Sequence, residues 1–348
     1  LDPGRGLAML EGALVRHDSM TKPWVSALAL SFVEEGTLSL LDPVEKYLPE
    51  FSGLRVGREV GEGIVYEPLK RPLSVYDLLR HTAGLTYGVF FRSPVKGLYL
   101  EAGVDRFDLS REVFLERLAA LPLRFQPGET FEYGLATDLL GHLLEALAGR
   151  SLAELLEERL FRPLGMKDSG FQAKDPARLA QPFPKDPETG HSLRLLPVET
   201  PPPRYAGGMG GVGTAADYLA FLEALRLGRG ALSPTMAGFM VQDHLGSLYP
   251  EALKRGPEYL PGPGYSFGLG VAVRVEPMGY SPGALGEWTW AGFGGTFFFV
   301  DPLQEITALY LAQAPNLLSV LEPEKALHSR LGARLQHAFR TLVYLGLE

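Results

Sequence analysis

The chain has 348 residues, 46% hydrophobic and 21% charged, with a formal net charge of −8. That is enough apolar mass for one large two-lobed domain or two domains, while an acidic balance without a Lys/Arg run argues against a surface that tracks nucleic acid. The absence of cysteine removes disulfides, Cys-ligated zinc and Cys nucleophiles, and no apolar run approaches the roughly 20 residues that cross a bilayer.

Read along the chain, Trp24 to Glu35 has helical apolar spacing and ends at Gly36. Asp42-Pro43 opens a short helical turn broken by Pro49. Ser74 and Asp77 stand at capping-box spacing before an apolar stretch. Residues 86–109 are aromatic, glycine-bearing and aperiodic, and read as a long surface loop. Ser110 caps a helix in "REVFLERLAAL", and Thr137–Ala148 and Leu152–Leu160 are two helices separated by Gly149. Residues 173–206, rich in proline and charge, read as another loop. Thr214 caps a helix from Ala215 to Leu227. The pattern then changes: "YSFGLGVAVRVEP", "EWTWAGFGGTFFFVDP" and "EITALYLAQ" read as strands, and residues 327–346 as a closing helix. The expected class is α+β: one domain over 1–348, mostly helical from about 16 to 227, with sheet and a C-terminal helix from about 228 to 348. A single Asn and 28 prolines fit a heat-tolerant source.

Four motifs bear on chemistry. Ser19-x-x-Lys22 opens a helix, where residues i and i+3 share a face and the amine can reach the hydroxyl. Pro23 suits a first turn, whose amides have no intrahelical partner, and the helix N-terminus favours a developing alkoxide. The bland alternative is a capping Ser beside a solvated Lys. A second S-x-x-K, Ser93 to Lys96, lies in the aperiodic stretch with no helix expected behind it. Gly279-Tyr280-Ser281-Pro282-Gly283 is a formal G-x-S-x-G, but an elbow nucleophile needs a backbone N–H on the next residue, and Pro282 has none. Gly208 to Gly213 is a formal G-x-G-x-x-G preceded by "ETPPPRYAG" rather than a strand, which points to a glycine loop entering a helix and not to a dinucleotide site. The seven histidines show no metal-ligand spacing, and His81 reads as a structural residue in a turn ending at Gly84.

Six collinear segments then resemble a known family. "HDSMTKPWVSALALSFVEEGTLSLLDPVEKYLPEF", "LSVYDLLRHTAGL", "FQPGETFEYGLATDLLGHLLEALAG", "PLGMKDSGF", "GGMGGVGTAADYLAFL" and "WAGFGGTFFFVDP" are similar to the S-x-x-K serine hydrolases related to class C β-lactamases and penicillin-recognising peptidases, and most of all to their esterase branch, the family VIII carboxylesterases. The resemblance implies a β-lactamase/DD-peptidase-like fold, an antiparallel sheet flanked by helices. It implies Ser19 as the acylated nucleophile, with Lys22 as its base or as the partner that keeps a tyrosine ionisable. Tyr133 would shuttle a proton to the leaving group, and the backbone N–H groups of Ser19 and Phe293 would form the oxyanion hole. Trp290, Ala291 and Gly292 would occupy the third motif beside the substrate, with the small Gly292 letting it approach the strand. No metal or organic cofactor is implied, and the partner is a small-molecule ester or amide.

Two departures shape the substrate. Leu135 stands where lactam-processing members have the Asn of Y-x-N, and Trp290 stands where they have the cation or His of K-T-G or H-x-G. Losing both polar contacts leaves an apolar wall and favours simple esters. The alternatives are a β-lactamase or D-amino-acid peptidase of the same fold, and a non-catalytic binding protein that keeps it. The family also has strands before the nucleophile segment. Only 18 residues precede Ser19, so those strands are expected to be missing.

Overall fold

The computed structural model describes every residue except 91–92, 187–188, 194, 250–259, 278, 280, 316–332 and 348. Its helices are α1 (Thr21–Glu34), α2 (Val75–Leu79), α3 (Pro94–Ala102), α4 (Arg111–Ala119), α5 (Ala136–Ala148), α6 (Leu152–Leu156), α7 (Ala215–Leu227), α8 (Pro234–Met240) and α9 (Ala333–Leu345). Its strands are β1 (Val15–Arg16), β2 (Arg55–Val60), β3 (Gly63–Pro68), β4 (Val212–Gly213), β5 (Tyr265–Phe267), β6 (Ala272–Arg274), β7 (Trp288–Ala291), β8 (Phe297–Asp301) and β9 (Ile306–Tyr310).

Helix α1 is buried on every side from Thr21 to Phe32, as expected for a helix enclosed by others. It packs on α5, α6 and α8. Trp24, Val25, Leu28 and Leu30 join the main core, each contributing about 1.5–3 kcal/mol of burial. Lys22 is the exception, a lysine with no exposed surface inside that helix.

The strands β5 to β9 form one antiparallel sheet in chain order. Both faces are covered, which explains why "TFFFVD" is apolar without alternation. Phe298 and Val300 face the main core, whereas Phe297 and Phe299 form a second cluster with Phe339 and Tyr344 of α9. The register pairs Trp290 with Phe298 and Trp288 with Val300.

Several expectations need correction. The stretch 86–109 holds helix α3. Ser93 caps it, Pro94 starts it and Gly103 ends it at φ +62°, so its start and stop signals outweighed its weak periodicity. Ser93-x-x-Lys96 therefore does open a helix. What separates it from Ser19-x-x-Lys22 is its partners: Ser93 accepts from the Lys96 amide, and the Lys96 ammonium lies 3.4 Å from Glu132. The hairpin of β2 and β3 was not anticipated; its mostly exposed strands and two-residue turn at Gly61-Glu62 lack a strong apolar signature. Helix α8 also falls in the region read as strands. The expected closing helix is present as α9, while residues 327–332 of that reading lie outside the described residues.

The capping box at Ser74 and Asp77 forms as anticipated, and it does more than start α2. Asp77 is fully buried and accepts from Arg71 at 2.6 and 2.8 Å, from Ser74 Oγ at 2.6 Å and from Thr82 Oγ1 at 2.9 Å. This fixes the turn at His81, whose φ is +55° and whose carbonyl accepts from the Glu132 amide at 2.8 Å. The His81 ring lies 4.9 Å from that of Tyr133. Burial pushes the Asp77 carboxyl up, but the bonds from Arg71 and Ser74 outweigh it and hold the group below the usual carboxylate range. Its contribution is therefore complete above about pH 4 and lost as pH falls through the depressed value. Asp77→Asn is expected to cost about 2–3 kcal/mol at pH 7. Denaturant titrations from pH 7 to 3 should show the gap between wild type and variant closing at the acid end.

Candidate active site

The site is assembled around the amino group of Lys22. A 3-10 turn, Asp18–Met20, leads into α1, so Ser19 and Lys22 fall on one face. Lys22 Nζ lies 3.3 Å from Ser19 Oγ, 3.1 Å from Tyr87 Oη and 2.7 Å from the Gly208 carbonyl oxygen. It also sits 4.6 Å from the centroid of the Tyr133 ring. Ser19 is half-buried, and Tyr133 is buried. The structure thus brings Ser19, Lys22 and Tyr133 together from α1 and from the segment before α5.

Two contributors at Lys22 went unread in the sequence. Tyr87 sits in the stretch taken for loop, and only its place after "HTAGLT" could have flagged it. Burial first, then neighbouring Tyr133 and Asp138, push its phenol well above the ordinary value, so it stays protonated. The glycine-rich loop is the other. Besides the Gly208 carbonyl on Lys22, the Gly211 amide donates to Thr21 Oγ1 at 2.8 Å, and the His17 amide donates to the Gly211 carbonyl at 2.8 Å. Strand β4, at the end of that loop, pairs with β1, just before the Asp18–Met20 turn. The loop enters α7 as expected, and it clamps the Ser19–Lys22 turn.

Tyr133 is positioned by close backbone approach. A Cβ on Gly134 would lie 2.3 Å from the Leu85 carbonyl oxygen and 2.5 Å from Thr86 Cα, so only glycine lets this segment press against residues 85–87, which carry Tyr87. The Tyr133 ring meets Tyr87 at 5.5 Å and Trp290 at 5.2 Å, and Trp290 meets Phe267 at 5.2 Å. An aromatic wall therefore stands where a cation was absent from the sequence. Behind Lys22, buried Asp138 pairs with buried Arg204 at 3.1 Å. Nearby Asp105 is pushed up to about 7, mainly by burial.

The 292–295 turn lies against the residues just before Ser19. The Gly294 amide donates to Asp18 Oδ2 at 2.8 Å, and Thr296 Oγ1 donates to the His17 carbonyl at 3.2 Å. This brackets Phe293 next to the Asp18–Met20 turn. Gly292 is small for a reason other than substrate access: its Cβ would lie 2.4 Å from the His17 carbonyl oxygen and 2.2 Å from Thr296 Oγ1. Leu135 is also corrected. It has no exposed surface and belongs to the main core at the start of α5, so it packs the helix and offers no wall to a ligand. Trp290 is buried, and Ala291, Gly292 and Phe293 are half-buried.

Ser281 stands apart from this cluster. His337 Nδ1 lies 3.4 Å from its Oγ, but Pro282, the next residue, supplies no N–H. Among the described residues no His/Asp/Glu group could hold a metal, and no helix is long and apolar enough to cross a membrane.

Tyr87→Phe tests the clamp on Lys22 while keeping the ring. Losing one of three oxygen partners should lower kcat about 10-fold, the equivalent of roughly 1.4 kcal/mol, with KM little changed. Steady-state kinetics on an ester substrate measure it.

Comparison with known proteins shows the family and the fold. A protein-family model, Beta-lactamase, matches residues 2–328. The chain is similar to esterase EstB of Burkholderia gladioli, 34% identical over 89% of this chain and 80% of that protein. It is similar to lovastatin esterase of Penicillium rubens, 30% identical over 85% of this chain and 78% of that protein. Among solved structures it resembles EstCE1, described as a hydrolase with promiscuous acyltransferase activity, at a TM-score of 0.76 and 29% identity, covering 94% and 88% of the two chains. With the helical region, the five-stranded sheet and nearly the whole length matched, this chain belongs to the β-lactamase family of serine hydrolases and has its fold.

Proposed function

We propose that the protein hydrolyses simple carboxylic esters through an acyl-enzyme on Ser19. One observation carries the reading: the buried Lys22 Nζ is held by two fixed oxygens beside the Ser19 hydroxyl. The Gly208 carbonyl can only accept a hydrogen bond, and Tyr87 Oη can accept another. The third neighbour is the Ser19 hydroxyl at 3.3 Å, close to the reach a general base needs.

In this reading the Ser19 proton passes to Lys22 as Oγ bonds to the ester carbonyl carbon. The carbonyl oxygen takes up the electron pair and is held by the N–H groups of Ser19 and Phe293. As the tetrahedral intermediate collapses, the alkoxide leaves and takes a proton through Tyr133, which Lys22 resupplies. Water then attacks the acyl-enzyme by the reverse route, releasing the acid and restoring Ser19. The wall of Tyr133 and Trp290 offers no charge for a substrate carboxylate, which supports neutral esters over lactams and cell-wall peptides. The names of EstB and lovastatin esterase point the same way.

A panel of p-nitrophenyl esters beside a chromogenic cephalosporin tests the proposal. Short esters should turn over and the cephalosporin should lag by at least about 100-fold in kcat/KM, the size of effect expected when buried polar recognition is missing. Ready cephalosporin hydrolysis with no ester turnover would contradict the proposal. Ser19→Ala should abolish ester turnover with the fold intact, and Ser281→Ala should leave it within about twofold.

A further inference from the structure

Asp18, the residue before Ser19, is a buried carboxylate that the chemistry above does not use. It is 5% exposed and has no ion-pair partner within 4.0 Å among the described residues. Arg16, two residues away, directs its guanidinium instead to the carbonyls of Leu196 and Ala180 and to Glu199. Burying an unpaired carboxylate is costly. The hydrogen bond this one receives among the described residues comes from the Gly294 amide, at 2.8 Å.

Gly294 follows Phe293, whose N–H is the second oxyanion donor in the reading above. The same turn is held from its other side. The Ala314 amide donates to the Gly294 carbonyl at 2.7 Å, and the Gly292 amide donates to the Thr296 carbonyl at 2.8 Å. Gln313, next to Ala314, bonds the backbone of Arg16 through both its amide groups, at 3.1 and 3.2 Å. The strand edge and the nucleophile turn come from chain segments some 270 residues apart, and the Asp18 carboxylate joins them directly, beside the Thr296 hydroxyl on the His17 carbonyl.

We infer that Asp18 is a positioning residue that sets the Phe293 N–H at the correct place relative to Ser19, so that one oxyanion donor is held by the residue preceding the nucleophile. The inference rests on Ser19 and Phe293 having the roles proposed above. The competing explanation is that Asp18 serves only the turn, since its φ is +47° and Asp, Asn and Gly all tolerate that region.

Two substitutions separate these explanations. Asp18→Gly suits the backbone and deletes the anchor. Asp18→Asn suits the backbone and keeps an oxygen that can accept from Gly294. A third readout is pH. Burial pushes the Asp18 carboxyl up to about 6, against the Gly294 bond and the charges of Arg16 and Lys22, which lower it. The adjacent His17 is fully buried, held near 3 by burial, and neutral throughout; the 292–295 turn and Gln313 carry no titratable side chain. Above about pH 6 the anchor is an ionised acceptor, and below it the bond loses its charge assistance.

The experiment measures kcat and KM on p-nitrophenyl acetate from pH 5 to 9 for wild type, Asp18→Gly, Asp18→Asn and Ser19→Ala, with circular dichroism of each. Asp18→Gly should lose about 10- to 100-fold in kcat with KM within threefold, part of the cost of deleting an oxyanion donor. Asp18→Asn should recover kcat to within threefold of wild type and lack the wild-type fall in rate near pH 6. The inference is overturned by Asp18→Gly retaining kcat, by Asp18→Asn being as slow as Asp18→Gly, or, where Asp18→Gly does not fold, by an unchanged acid limb in Asp18→Asn. In each case Ser19→Ala still abolishes turnover and the esterase reading stands. A wild-type chain without turnover overturns both.

Discussion

The constraint on which the rest of the structure depends is the burial of Lys22. A lysine with no exposed surface in the first turn of a fully enclosed helix is tolerable only if every direction around its nitrogen is answered. Three oxygens, one local and two from distant segments, do this: Ser19 on the adjoining turn, Tyr87 after the His81 turn, and the Gly208 carbonyl on the glycine loop. The ring of Tyr133 closes the remaining side. Meeting that requirement brings together parts of the chain that have no other reason to meet, and it forces backbone approaches that exclude side chains at Gly134 and at the glycines of residues 207–213.

The second constraint is the joint between helices and sheet. The sheet is covered on both faces, so β7 and β8 are held firmly and their connecting turn can be aimed. That turn meets the residues before Ser19 through Asp18 and His17. The Asp18–Met20 turn is therefore gripped by the glycine loop on one side and by the 292–295 turn on the other. The Asp77 network carries the same logic outward. It fixes the His81 turn, and that turn supports Tyr133.

Much of this was legible in the sequence. The capping box at Ser74, the caps at Ser110 and Thr214, and the β-branched and aromatic strands after residue 260 are local signals, and each element formed. That Ser19, Lys22 and Tyr133 meet was legible through collinear motifs and not through periodicity. What escaped depends on distant partners or on overlooked punctuation. Ser93 was set aside for lacking a helix, yet Pro94 and Gly103 mark one. The true difference between the two S-x-x-K motifs is that Glu132 occupies Lys96. Tyr87 gave no local sign because its role comes from meeting Lys22 across 65 residues. Leu135 was assigned to the substrate wall by its motif position, whereas the rotation of α5 turns it into the core. Gly292 reads in the sequence as room for substrate, whereas the atoms a Cβ there would meet are the His17 carbonyl oxygen and Thr296 Oγ1.

The central claim is that Ser19 attacks a carbonyl while Lys22 receives its proton. Intact-protein mass spectrometry with peptide mapping after rapid quench from a slowly deacylated p-nitrophenyl ester tests it most directly. The account predicts one acyl group per chain, on the peptide holding Ser19, with formation slowed at least about 1,000-fold in Lys22→Ala as a base is lost. An acyl group on any other serine, or undiminished acylation of Ser19 without Lys22, would contradict it.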